Sequence, residues 1–423
     1  MSLRRTLYSL LLYLIFPFVI FRLFWRGRLN PAYRQRISER LGFVAIDNDK
    51  PVIWIHAVSV GETIAAQPLI EGLIRQYPDY CILVTSTTPT GSDRIKALFG
   101  ERVSHVYFPY DLPDIVMRFV HRVKPKLLVI IETEIWPNLY AKCAEKNIPL
   151  VLVNARLSER SAQRYLKVRK LVSETLANVS AIAVRSSIDA ERFKQLGTDS
   201  RKISVVGNIK FDFTVNTEQV EQGKKWRKLW RNIDLVWVAA STHKGEDKQI
   251  LQLHQKLLRK IPNLMLVLVP RHPERFDDVY TLCKQFKGVK ALRHSQVKDY
   301  KDTKGNIILG DSMGEMQSWF ATADVVFMGG SLVETGGHNP IEPIAQGVPV
   351  VSGPHMFNFD DVSAQLSKES LLFICDTIDE LEERIFSVLN KETDIKRVAK
   401  NTMQQHQGVV ARLLELISIK IDQ

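Results

Sequence analysis

Glu62, Glu132 and Glu134 are the carboxylates of this chain best placed to do chemistry, because each lies at the end of an apolar run. Glu62 sits in Ala57-Val58-Ser59-Val60-Gly61-Glu62-Thr63. Ser59 and Glu62 have the S-x-x-E spacing of a helix capping box, so a structural role is available. Gly61 leaves the backbone open to a ligand, and a carboxylate on a helix first turn beside a cleft suits a general base. The spacing leaves both roles open. Glu132 and Glu134 close KLLVIIETEIWPN, two apart and so on one face unless the strand has already ended. Carboxylates against so apolar a run need partners or substrate. Arg156, Arg160, Arg164 and Lys167, spaced along one helix face, are candidates, and they read equally well as a solvated surface.

The other group of residues suits an anion. Residues 329 to 350, GGSLVETGGHNPIEPIAQGVPV, run from an apolar strand through a glycine-rich turn into a short helix. Asn339 can cap that helix, Pro340 fits its first position and Glu342 falls in its first turn. Strand, small-residue turn and capped helix together predict an anion site. Glu342 either closes a capping box or accepts from the two hydroxyls of a ribose. Ser241-Thr242-His243-Lys244-Gly245, Arg271-His272-Pro273 and Ser312-Met313-Gly314-Glu315 also join strand ends to helix starts, and Lys210 adds a cation in Gly207-Asn208-Ile209-Lys210-Phe211-Asp212. Asp47-Asn48-Asp49 has D-x-D spacing but precedes the first strand and reads as a solvated turn. No metal site, Walker loop or dinucleotide fingerprint is legible.

These residues need strands to position them. Apolar runs alternate with helical patterns along the whole chain. They lie at 51–58, 81–88, 104–110, 126–134, 149–156, 181–187 and 202–208, then at 235–242, 264–272, 306–312, 323–331, 348–354 and 371–376. Such runs are buried strands of parallel sheets, so the fold class is α/β with two doubly wound, Rossmann-like domains facing a cleft. The length of 423 residues suits two cores. The expected division is a segment 1–30, a first domain 31–213, a polar linker 214–232 and a second domain 233–423, whose last helix is free to pack back on the first. The four cysteines are far apart and read as buried thiols in a reducing compartment.

Most of the net charge of +12 belongs to residues 1–46, with eight arginines against Glu39 alone. Between them Leu7–Phe21 is 15 residues without a charge, interrupted by Pro17. That is short of the roughly 20 needed to span a bilayer, so it reads as an interfacial anchor flanked by basic residues that meet anionic head groups. The alternative is a helix docked on the protein's own surface. No nucleic-acid partner is expected.

The turn before Glu-Pro and Gly-x-Pro-Val resembles the nucleotide-binding half of GT-B glycosyltransferases. More specifically, HAVSVGET (56–63), IETEIWPN (131–138), GNIKFD (207–212), STHKGE (241–246), LVPRHPERF (268–276), GDSMGEM (310–316) and GGSLVETGGHNPIE (329–342) make the chain closely similar to the 3-deoxy-D-manno-octulosonic acid (Kdo) transferases of lipopolysaccharide assembly. The resemblance implies a GT-B fold and a metal-independent, inverting enzyme without a cofactor. It implies cytidine monophosphate (CMP)-Kdo as donor, a lipid A precursor (lipid IVA) as acceptor, and a place on the cytoplasmic side of the inner membrane. By motif it makes the first domain acceptor-binding, Glu62 the base, and Glu132 and Lys210 the transition-state stabilisers. It assigns CMP to the second domain at Pro270, Arg271, Met313, Gly314, Glu315, Asn339, Pro340, Ile341 and Glu342. A nucleotide-sugar epimerase of like fold would have no use for the anchor, and a non-catalytic scaffold would need no base.

Overall fold

The computed structural model describes residues 2–46, 50–230, 233–286, 290–297, 306–390 and 395–421. The Asp47-Asn48-Asp49 turn lies outside the described residues. The chain divides into two units, 1–212 with 408–423, and 213–407.

The first unit is built on strands β1 (Val52–His56), β2 (Cys81–Ser86), β3 (Ser104–Tyr107), β4 (Pro125–Ile131), β5 (Leu150–Ala155), β6 (Ala181–Val184) and β7 (Ile203–Val205), all parallel, in the order β3-β2-β1-β4-β5-β6-β7. Every residue of β1, β2, β5 and β6 is buried, which is why these strands read as continuous apolar runs. Trp54, Leu128 and Phe119 pack on one face of the sheet, while Ile53, Leu69 and Val129 pack on the other. Burying each such side chain contributes about 1.5–3 kcal/mol. The last helix of the chain, Val409–Ile421, belongs to this unit: Val409, Leu413 and Ile417 join its second cluster, and Asp212 accepts from the Gly408 and Val410 N–H groups.

The second unit holds β8 (Leu235–Thr242), β9 (Leu264–Pro270), β10 (Ala291–Arg293), β11 (Ile307–Leu309), β12 (Val325–Met328), β13 (Val350–Ser352) and β14 (Leu372–Ile374), again parallel, in the order β10-β11-β9-β8-β12-β13-β14. Of these strands only β10 escapes the sequence reading. It is short, half-buried and at the sheet edge, so it lacks the apolar run that marks a strand buried on both faces. The polar stretch read as a linker forms a helix, Thr217–Leu229. Its Trp226 is buried and lies 4.5 Å from the ring of Trp319, and a Cβ on Gly223 would stand 2.0 Å from the Ser318 carbonyl. Two apolar anchors in a charged helix suffice to dock it on this unit.

The four cysteines are free and buried. At the N-terminus Pro17 does not interrupt the chain: residues Leu3–Leu29 form one helix of 27 residues with Pro17 inside it. Proline removes one intrahelical hydrogen bond, and the turns on either side, started by the Ser2 side chain on Arg5 N–H, carry the helix through. By length and composition Leu3–Arg28 is able to cross a membrane. One face of it is tied to the first unit, however. Tyr8 donates to Asp111 at 3.0 Å, Ser9 to Asn138 at 3.1 Å and Tyr13 to Asp114 at 2.6 Å. Leu7, Leu10, Leu11, Leu14, Phe18 and Phe21 remain exposed. A groove of about 860 Å³ beside it is lined by Arg4, Lys167, Arg169 and Lys170 together with Leu7 and Val168.

Candidate active site

In the first sheet β1 and β4 are neighbours although two strands separate them in sequence. Successive connections leave these strands toward opposite edges, so a crevice opens at their carboxyl ends. Glu62, on the helix Val60–Gln76 after β1, and Glu132, directly after β4, both stand there. Glu62 does serve as a cap of sorts. Its Oε2 accepts from Val58 N–H at 2.8 Å and its Oε1 from the Ser59 hydroxyl at 3.1 Å, while Ser59 Oγ accepts from Glu62 N–H at 3.3 Å. Those bonds do not make the carboxylate comfortable. Burial, and then the charges of Glu132 and Glu134, push its pKa up to about 8. Glu134 is pushed to about 7 by burial and by Glu132. A Cβ on Gly61 would touch only Ser59 Oγ, at 3.9 Å, so the approach to the helix start is open.

The strand ends at Ile131, and Glu132 has φ of 62°. A left-handed glutamate is strained, and such strain is commonest at functional positions. It also breaks the alternation that sequence spacing predicts for Glu132 and Glu134. Glu132 is paired with Arg185, which follows β6, while Arg156, Arg160, Arg164 and Lys167 are exposed. The carboxyl ends of β4, β5 and β6 lie side by side in the sheet, which brings Glu132 and Arg185 together across 53 residues of chain. Arg185 Nε donates to the Asn154 carbonyl at 3.1 Å, and Asn154 Oδ1 accepts from Ile209 N–H at 3.1 Å. The short turn Ile209–Phe211 that carries Lys210 is thereby fixed to the same network as Glu132.

The second unit repeats the topology, with β8 beside β12. Its glycine turn is not an empty anion site. Glu246, fully buried, fills it: Oε2 accepts from His243 and Gly330 N–H, both at 2.8 Å, and Oε1 from Ser331 and Leu332 N–H at 3.1 and 2.9 Å. The spacing alone predicts that these N–H groups are free for a ligand. A carboxylate more than 80 residues away in the chain consumes them, and no local spacing announces that. Gly329 is required there, since a Cβ would stand 2.4 Å from the Ser241 carbonyl.

What remains for an anion lies above this turn. The His243 and His338 Nε2 atoms are 2.8 Å apart, the His272 ring is 5.5 Å from that of His243, and the Arg271 side chain is exposed beside them. Pro270 ends β9, and Arg271 N–H is tied to the Thr242 carbonyl at 3.0 Å. After β11, Met313 is exposed, Gly314 has φ of 83° with open space around it, and Glu315 is held by Ser312 and by His294 Nε2 at 3.1 Å. The helix after β12 is Ile341–Ala345, with Pro340 at its cap rather than inside it. Asn339 accepts from Ile341 N–H at 3.1 Å. Glu342 meets the Asn339 amide only at 3.5 Å, so it closes no capping box, and burial raises its pKa. Residues 313–315, 270–271, 243 and 338–342 thus follow four strands that are adjacent in the sheet, β11, β9, β8 and β12. Among the described residues no group of histidine, cysteine, aspartate or glutamate is arranged to hold a metal ion.

A family model described as 3-deoxy-D-manno-octulosonic-acid transferase (kdotransferase) matches residues 35–213, and one described as glycosyl transferases group 1 matches residues 234–405. The chain is 42% identical to a 3-deoxy-D-manno-octulosonic acid transferase of Haemophilus influenzae, over 98% of each chain. It is 35% identical to the protein of that name from Bordetella pertussis, over 74% of this chain and 73% of the relative. Among solved structures it is similar to the C-terminal CMP-Kdo binding domain of WaaA from Acinetobacter baumannii, with 31% identity and a TM-score of 0.41, over 45% of this chain and all of that one.

Proposed function

Because the chain belongs to the 3-deoxy-D-manno-octulosonic acid transferase family, we propose that it transfers Kdo from CMP-Kdo to a hydroxyl of a lipid A precursor in lipopolysaccharide biosynthesis. The observation that carries the mechanism is the Glu62 carboxyl, open to approach at Gly61 and pushed to about 8 beside Glu132 and Glu134. A base works best when its pKa is near the working pH, and such a group contributes typically about 10² to 10⁴ in rate.

In the proposed step Glu62 takes the proton of the acceptor hydroxyl as its oxygen bonds to the anomeric carbon of Kdo. The bond from that carbon to the phosphate oxygen breaks on the opposite face, so configuration inverts. CMP leaves with the electron pair and needs no proton. Positive charge grows on the sugar and negative charge on the phosphate, and Glu132, set by Arg185, and Lys210 are the fixed charges that answer them. Pro270, Arg271, Met313–Glu315 and Asn339–Glu342 hold the CMP moiety, with the Glu342 carboxylate accepting from the ribose hydroxyls.

The chain is membrane-associated on this reading, on the cytoplasmic side of the inner membrane. The helix Leu3–Leu29 lies in the interface with Leu7, Leu10, Leu14 and Phe18 toward the acyl chains, since its other face is bonded to the first unit. Incubation with CMP-Kdo and a lipid A precursor, followed by mass spectrometry of the lipid, tests the function. The expected product is heavier by one or more Kdo residues, and an unmodified lipid beside consumed donor rejects the acceptor. Flotation with vesicles tests the anchor: removal of residues 2–25 is expected to leave most of the protein unbound.

A further inference from the structure

The rings of His243, just after β8, and His338, at the end of the glycine turn after β12, are inclined by only 14° with their Nε2 atoms 2.8 Å apart. One Nε2 therefore carries a hydrogen and the other accepts it. Each neutral imidazole holds a single N–H, so a neutral pair joined in this way presents one Nδ1–H and one bare Nδ1. A Cβ on Gly330 would lie 3.4 Å from the Cδ2 of both rings, so these edges rest on the glycine turn. Nδ1 lies across the ring from Cδ2 and faces away from it. Among the described residues neither Nδ1 has a hydrogen-bond partner.

The charged groups that the pair feels are Glu246, beneath the His243 backbone, and Arg271, Arg275 and His272 around the rings. Arg275 is itself bound to Asp247. Lys244, next in the chain, is exposed. Burial first, then these cations, lower both imidazoles, His338 to about 4. The pair is thus neutral while the site is empty at pH 7. A neutral pair offers a phosphate one donor and one repelling lone pair.

We propose that His243 and His338 form a proton-coupled clamp for the phosphate of the nucleotide: binding of a phosphate ester draws one proton from solvent onto the bare Nδ1, after which both rings donate to the phosphate oxygens. The clamp rests on the reading of the second unit as the donor-binding one. It adds a role in the reaction. The phosphate of the donor is a diester with one negative charge, and on the departing monoester it carries ≈ −1.5 to −2 at pH 7. A proton already taken up by the pair neutralises the charge that grows as the bond breaks, without reorganisation at that moment.

Calorimetry on the full-length protein with the methyl ester of CMP tests it, because that phosphodiester cannot itself gain or lose a proton near neutral pH. At pH 7.5, titrations in buffers of different ionisation enthalpy are expected to show uptake of about 0.5 to 1 proton per ester bound. Kd is expected to rise by up to about tenfold per pH unit above neutrality. In His338→Gln and in His243→Gln the uptake is expected to vanish and affinity to fall about tenfold, with the melting temperature kept. Ester binding without proton uptake in the wild type overturns the clamp and leaves the donor site standing. Uptake that persists in both variants places the proton elsewhere and overturns it too. Failure of the ester and of CMP to bind at millimolar concentration rejects the donor site and the clamp together.

Discussion

At its switch point the first unit gathers three carboxylates, Glu62, Glu132 and Glu134, whereas the second gathers His243, His272, His338 and Arg271 over a carboxylate that it hides. The strand orders match around both points, so backbone topology does not explain the contrast. The difference lies in how each unit spends the N–H groups at its strand ends. In the second, Glu246 accepts from four of them and fills the turn beneath the histidines. In the first, Glu62 accepts from one N–H and one hydroxyl and faces two other carboxylates. A carboxylate given many donors is structural, and one given few beside like charge is ready to take a proton.

The most severe test of that contrast is Glu62→Gln. The amide keeps the shape of the cap, so the melting temperature is expected to stay or rise, while Kdo transfer falls by about 10² or more and CMP affinity is unchanged. Transfer near the wild-type rate rejects the base. The mirror experiment is Glu246→Ala. It leaves four N–H groups of the second unit without their acceptor, two of them in buried bonds, and is expected to cost about 3 kcal/mol, seen as faster hydrogen exchange in residues 233–345 and not in the first unit. A variant as stable as wild type means water or relaxation satisfies the turn, and the contrast fails.

Glu342→Ala sharpens the comparison within the second unit, since Glu342 lacks the donors that Glu246 has. CMP titration is expected to show a loss of about 1.5 to 3 kcal/mol, from charge-assisted bonds to the ribose, with little change in stability. Unchanged affinity returns Glu342 to a structural part. The smallest effect expected is in the pH dependence. Glu62, at about 8, and Glu134 and Asp111, at about 7, hold protons in the folded state that the unfolded chain has released above its ordinary carboxylate range. Stability of the first unit therefore falls as pH rises from about 5 to about 8. Transfer rises over the upper part of that window as Glu62 ionises. Denaturant melts and initial rates across pH 5 to 9 check both slopes, and a first unit that gains stability toward pH 8 contradicts the buried-acid picture.

The strands were legible because burial on both faces writes an uninterrupted apolar run, as in Leu264–Pro270, and the exposed-edge β10 was not for the same reason. The capped turn at Ser59–Glu62 was legible from spacing, and so was the ambiguity of Glu62. Helix Thr217–Leu229 was hidden because Trp226 and Gly223 are its only buried positions. Pro17 misled by suggesting a break in the helix Leu3–Leu29, whose continuity rests on cooperative turns to either side.

By itself, then, the sequence determined two parallel sheets, the loops that follow their strands and the family to which the motifs belong, because these depend on local periodicity and short-range spacing. Tertiary structure alone decided which polar groups meet: Arg185 with Glu132, Glu246 with the glycine turn, His243 with His338. Those partners are 53 to 95 residues apart, brought together by sheet order, and the pKa of a side chain follows from such neighbours and from burial rather than from its place in the chain.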